Sequence, residues 1–230
     1  TIRMIEPRRH FHEELDHLVD QLTAMAGLAE RAVGKAVEAL LASDGELADE
    51  VVAEDQEVDD LYLDIHQLWL ETMALQTPVA VDLRLMSVVL HLDVTLERMG
   101  DQATNIAKVV RSIEGLPQEP MILEHIREMG DLVGPMVRTA MDAFVQRDLG
   151  LAMRVPEMDE PVNRLNRSMA REIANCGRDH DLLEWAVPML MVSRALERVG
   201  DQAVDIAEQV AFLLTGEFQE FTRPDSGDGH

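Results

Sequence analysis

The chain has 230 residues, with 20 Lys and Arg against 44 Asp and Glu, a formal net charge of −24. That length suits one large domain or two of about 100 residues, either able to bury a real core. A charge this negative repels phosphate backbones and anionic lipid, which argues against nucleic acid and membrane surfaces as direct partners.

Hydrophobic residues make up 47% of the chain but aromatics only 3%, with 14 Met, so the core favours helices over strands. One cysteine, Cys176, excludes an intramolecular disulfide and fits a reducing compartment. No stretch reaches the roughly 18 apolar residues of a membrane span. The first ten residues lack the apolar segment of a signal peptide. The expectation is a cytoplasmic protein with no direct membrane insertion.

Residues 9–43 read as the first long amphipathic helix, ending before Ser43-Asp44-Gly45-Glu46, a capping-box pattern that opens the second. The second helix runs to about Leu75. Thr77 then reads as an N-cap, with Pro78 at the first position of a third helix reaching about Ile113. Gly115-Leu116-Pro117 and Pro120 form a linker. Three further helices are expected near 121–147, 150–176 and 181–214. Pro135, Pro156, Pro161 and Pro188 predict kinks or shifted boundaries in them. The last residues, rich in Asp, Gly, Pro and Ser, read as a disordered tail.

The two halves repeat each other. Leu96-Glu97-Arg98-Met99-Gly100-Asp101-Gln102-Ala103-Thr104-Asn105-Ile106-Ala107 recurs at 196–207 with nine of twelve positions identical. Upstream, residues 36–61 align on 140–165 without gaps, Asp55 and Val58 matching Asp159 and Val162 among nine identities. The offset falls from 104 to 100 between the two windows, so the second copy lacks four residues, placed by this reading in the loop after its second helix. The expected fold is all-α: two tandem three-helix bundles related by internal duplication, residues 1–116 and 117–217, followed by a tail over 218–230.

Any chemistry belongs to the repeated block. At about 100° per residue, Leu92, Leu96, Met99, Ala103, Ile106 and Val110 form the core stripe of the third helix. Asp93, Glu97, Asp101 and Asn105 form an i, i+4 row outside it. Ser193, Glu197, Asp201 and Asp205 form the equivalent row. Asp55 and Asp59 on the second helix, with Asp159 and Asn163 in the other copy, edge a stripe that faces these rows if the helices are neighbours. Like charges at i, i+4 repel by a few tenths of a kcal/mol. Such oxygen-rich sets suit hard cations. Spacing alone leaves open a solvated acidic face or a metal site.

Arg98 and Arg198 read either as intrahelical partners of Asp101 and Asp201 or as anchors. Gly100 and Gly200, costly in mid-helix, mark close approach of another backbone. Glu14-x-x-His17 has no second pair to complete a di-iron site, and His66 and His91 are single histidines on helices. No glycine-rich phosphate loop or nucleophile motif is present.

Pro78-Val79-Ala80-Val81-Asp82-Leu83-Arg84 followed by the block at 96–107, with its second copy at 196–207, resembles the PhoU family of regulators of bacterial phosphate uptake, over about residues 8–215. The resemblance implies a cytoplasmic, non-enzymatic homodimer that negatively regulates the phosphate-starvation response. It would link a phosphate ABC transporter ATPase to a sensor histidine kinase. It also implies metal (Fe, Zn, Mn or Mg) on Glu97 and Asp101, and on Glu197 and Asp201. Asn105 and Asp205 continue the rows, Asp55 and Asp59 face the first, and Asp159 with the neutral Asn163 faces the second. The alternatives are a metal-dependent hydrolase or oxidase using the carboxylates, and a metal-free helical scaffold.

Overall fold

A computed structural model describes residues 5–221, and within them six α-helices. They are α1 (Ile5–Ala42), α2 (Gly45–Gln76), α3 (Val81–Ser112), α4 (Pro120–Gln146), α5 (Leu149–Asn175) and α6 (His180–Thr215). Helices α1, α2 and α3 pack on one another, as do α4, α5 and α6, giving the two three-helix bundles that the duplication predicts. The bundles meet through α3 against α6 and α1 against α4, so these four helices form the inner layer and one hydrophobic core runs through both repeats. Helices α2 and α5 lie outside. The difference shows in burial: α3 and α6 each bury sixteen residues, whereas α2 buries five and α5 seven.

Helix starts are set by carboxylates. Asp44 accepts from the amides of Glu46 and Leu47, Asp148 from Leu151, and Asp179 from Leu182, each satisfying donors that a first helical turn leaves without partners. At 77–80 the structure departs from the sequence expectation. Thr77 is the C-cap of α2, with φ 43°, not the N-cap of α3, and α3 begins only at Val81. The left-handed turn there satisfies the end of α2 and leaves Pro78 in the connection, where its missing N–H costs nothing. The four-residue deficit of the second copy also lies elsewhere than expected. Both connections span four residues (77–80 and 176–179), and α5 is instead shorter, 27 residues against 32 in α2.

Pro135, Pro156, Pro161 and Pro188 sit inside α4, α5 and α6 without ending them. Each removes one backbone donor, but flanking turns and packing hold the helix. Residues 218–221, expected within the tail, fold back on α6. Phe218 stacks on Phe212 at 3.8 Å between ring centroids, and the Phe221 amide donates to Glu208 Oε1. The rest of the expected tail, 222–230, lies outside the described residues.

Candidate functional site

Three turns of α3 carry the first row, and α2 lies across it. The two helices approach closely at Gly100, where an added Cβ would sit 3.0 Å from Asp55 Oδ1 and 3.2 Å from Val58 Cγ1. The second copy repeats this: a Cβ on Gly200 would lie 2.6 Å from Asp159 Oδ1. The close approach that the mid-helix glycines mark is therefore made by a carboxylate side chain from the outer helix, rather than by another backbone. Glycine leaves room for an aspartate to reach over the inner helix, more tightly at Gly200 than at Gly100.

Around Gly100 the structure brings together Asp55, Asp59, Glu97 and Asp101. Burial pushes the Asp55 carboxyl above its ordinary range, an interaction with the Thr104 hydroxyl offsets this, and the charges of Asp59 and Asp101 push it further up. Glu97 is raised by burial, then by Asp101 and Asp59, with Arg98 opposing and Asp55 adding to the rise. Four carboxylates on two helices thus share one field, in which Asp55 and Glu97 resist ionisation. As the side chains stand, no three His, Cys, Asp or Glu among the described residues are gathered tightly enough to hold an ion. A cation would have to draw them inward.

Asp93 departs from the expected solvated row. It is fully buried, because α2 covers that end of the row. Neither of its oxygens has a hydrogen-bond partner, and burial followed by the Glu97 charge raises its pKa to about 7. His66 of α2, a lone histidine by spacing, comes to 3.4 Å from Asp93 Oδ2. Sequence reasoning missed this pair, since period alone does not say which helix face lies over which. Asn105 is exposed one turn beyond Asp101.

In the second copy the set is less charged. Asp159, 2% exposed, accepts from Asn163 Nδ2 at 2.6 Å, where the first copy has Asp55 and Asp59. Ser193, in place of Asp93, donates to Asn166 Oδ1 at 3.0 Å. Glu197 and Asp201 are half-buried on α6. Asp205 does not join this set: it lines a cavity with His91 and Arg98 at the contact of α3 with α6. Glu14 pairs with His10 at 3.2 Å, and His17 supplies no second ligand to it.

Oxygen donors on both outer faces, an unsatisfied buried carboxylate and carboxyls held above their normal pKa all fit a hard cation in the first copy. The second copy offers fewer charges for the same role. No helix among the described residues is long and apolar enough to cross a membrane.

The PhoU domain matches the chain twice, over residues 22–110 and 126–210. A phosphate-specific transport system accessory protein PhoU homologue of Caulobacter vibrioides is 36% identical over 219 residues, covering 94% of each chain. The crystal structure of PhoU from Pseudomonas aeruginosa superposes with a TM-score of 0.85 at 33% identity, covering 90% of this chain and all of that one. The phosphate transport system regulatory protein PhoU of Streptococcus pneumoniae gives a TM-score of 0.84 at 26% identity, over 92% of this chain and all of its own.

Proposed function

From the chain's membership of the PhoU family, we propose that it is a non-enzymatic accessory protein of a phosphate-specific transport system that restrains the phosphate-starvation response. It acts in the cytoplasm as a homodimer, adapting the transporter's ATPase subunit to a sensor histidine kinase. The observation that carries this reading is the carboxylate set made by Asp55, Asp59, Glu97 and Asp101 across Gly100, repeated in reduced form by Asp159, Asn163, Glu197 and Asp201.

A divalent or iron-type cation bound there supplies positive charge where the chain has none to spare. The chain's own residues do the rest. Asp55 and Asp59 on α2, and Glu97 and Asp101 on α3, tie the outer helix to the inner one once their repulsion is relieved. The outer face is then presented in one arrangement to a partner. Because the carboxylates are not gathered beforehand, cation binding changes that face, which suits a regulatory surface better than a rigid catalytic one. The hydrolase or oxidase alternative finds no Lys or Ser placed as a base or nucleophile beside the set, and His66 is engaged beside the buried Asp93.

The test is metal content by mass spectrometry on untagged protein, beside Glu97→Gln/Asp101→Asn, joined to a phosphate-starvation reporter in a host lacking its own copy. A near-integer metal complement that falls in the variant, with the reporter repressed by wild type and released by the variant, is the expected result. A reporter that ignores the protein would sink the regulatory reading. Metal-free wild type after incubation with Mg²⁺, Mn²⁺, Zn²⁺ and Fe²⁺ would sink the metal part alone. Sedimentation equilibrium reads the dimer, and co-purification of the ATPase and kinase reads the partners.

A further inference from the structure

Where α3 crosses α6, the two bundles line a half-open cavity of about 510 Å³, within the range of small-molecule sites. Its walls differ in chemistry. The α3 wall carries donors: the Arg98 guanidinium, the His91 imidazole and the Ser87 hydroxyl. The α6 wall carries acceptors: the Asp205 carboxylate and the Gln202 carbonyl, whose Oε1 is buried with no hydrogen-bond partner. Burial lowers the pKa of His91, Asp205 raises it and Arg98 lowers it again, so the imidazole is a neutral hydrogen-bonding group at pH 7. Leu90 and Val94 add an apolar strip between the walls.

The duplication supplies an internal control. At the offset of 100, Ser87, His91 and Asp205 correspond to Val187, Met191 and Asn105, and Val187 and Met191 are exposed on α6. Gln102, the counterpart of Gln202, is buried and donates to the Arg98 carbonyl. Arg198 and Asn105 keep polar groups at the positions equivalent to Arg98 and Asp205, so the halves differ in the apolar Val187 and Met191, and in Gln202 Oε1, which is left without a partner. Packing of the repeat therefore does not require Ser87 or His91.

We propose that the α3–α6 cavity binds a hydroxyl-bearing phosphate ester, its phosphoryl group held by Arg98 from α3 and its hydroxyls donated to Asp205 and Gln202 of α6. Inorganic phosphate alone satisfies only one wall and meets repulsion from Asp205 at the other. The arginine fork matches a phosphoryl group, and a buried acceptor left unpaired is relieved by a ligand hydroxyl. Such a ligand touches both bundles, so its binding adds stability to their contact.

The test is calorimetric titration of the full chain with ribose 5-phosphate, ribose and inorganic phosphate, in chelator so that the carboxylate set stays silent. Ribose 5-phosphate binds saturably, and more tightly than either fragment. Arg98→Gln weakens it about tenfold or more, equal to about 1.4 kcal/mol. Asp205→Ala lowers the preference for the ester over inorganic phosphate, since it removes a hydroxyl acceptor that only the ester uses, while the relief of charge favours both ligands. Both variants are at exposed positions, and their unliganded melting temperatures check that they fold. No binding of the ester, equal affinity for ester and inorganic phosphate, an unchanged Arg98→Gln, or an Asp205→Ala that leaves the preference for the ester unchanged would each overturn the proposal.

Discussion

At Gly200, two residue-level forces have opposite signs. Helix propensity alone makes Gly→Ala stabilising by up to about 1 kcal/mol. The new Cβ would lie 2.6 Å from Asp159 Oδ1, which is buried in a carboxylate already held by Asn163 and has little room to turn. Overpacking of that kind costs about 1–3 kcal/mol, so Gly200→Ala is expected to destabilise in a urea titration. Gly100→Ala, at 3.0 Å from the less buried Asp55, falls near neutrality. Asp93 makes a second prediction. Its folded pKa of about 7 lies above the ordinary 3.8, so the native state holds a proton that the unfolded chain has released between those values. Stability from this group is therefore complete below about pH 4 and is lost as pH rises through 7. The slope approaches about 1.4 kcal/mol per pH unit within that window. Asp93→Asn should gain on wild type from pH 5 to about pH 7 in metal-free melts and level off above that, and a constant difference across pH 5–7 would remove Asp93 as the titrating group.

Elements answer to their ends. Three of the six helices open on an aspartate that accepts from its own first turn, at Asp44, Asp148 and Asp179. The box at Ser43-Asp44-Gly45-Glu46 marks the first of these in sequence, although Asp44 and not Ser43 is the cap, whereas Asp148 and Asp179 carry no Glu or Gln three residues on. Asp44→Ala is expected to cost about 1 kcal/mol by chemical denaturation. The connection at 77–80 was not readable in the same way. Thr-Pro suits a helix start and a helix stop equally, and the choice depends on how far α2 extends before the chain must turn to bring α3 beneath it. Likewise the shortened element is α5 itself, because an outer helix can lose its end without opening the shared core.

For the whole molecule, the dominant fact is charge. A net −24 held in one fold repels itself, and ion pairs such as Lys35 with Glu54 and Arg111 with Asp49 relieve only a fraction. Raising ionic strength from low values to about 0.15 M should raise the melting temperature, since screening acts over about 8 Å. Divalent cation should do so at far lower concentration if the carboxylate set binds it. Comparing the two in wild type and in Glu97→Gln/Asp101→Asn separates general screening from a site: only a site loses its excess effect in the variant.

Six amphipathic helices, their doubling and the carboxylate block were determined by the sequence itself, because helical period and internal repetition are local or self-referential signals. Opposition of Asp55 to Gly100 was partly legible, since both the glycine and the facing aspartate recur in register. Burial of Asp93, its approach to His66 and the placing of Asp205 with Arg98 and His91 in an inter-bundle cavity were decided only by the tertiary structure. A helix sequence sets the angle between its own side chains. Which neighbour lies over each angle, α2 over Asp93 or α3 over Asp205, follows from how helices from opposite halves of the chain pack.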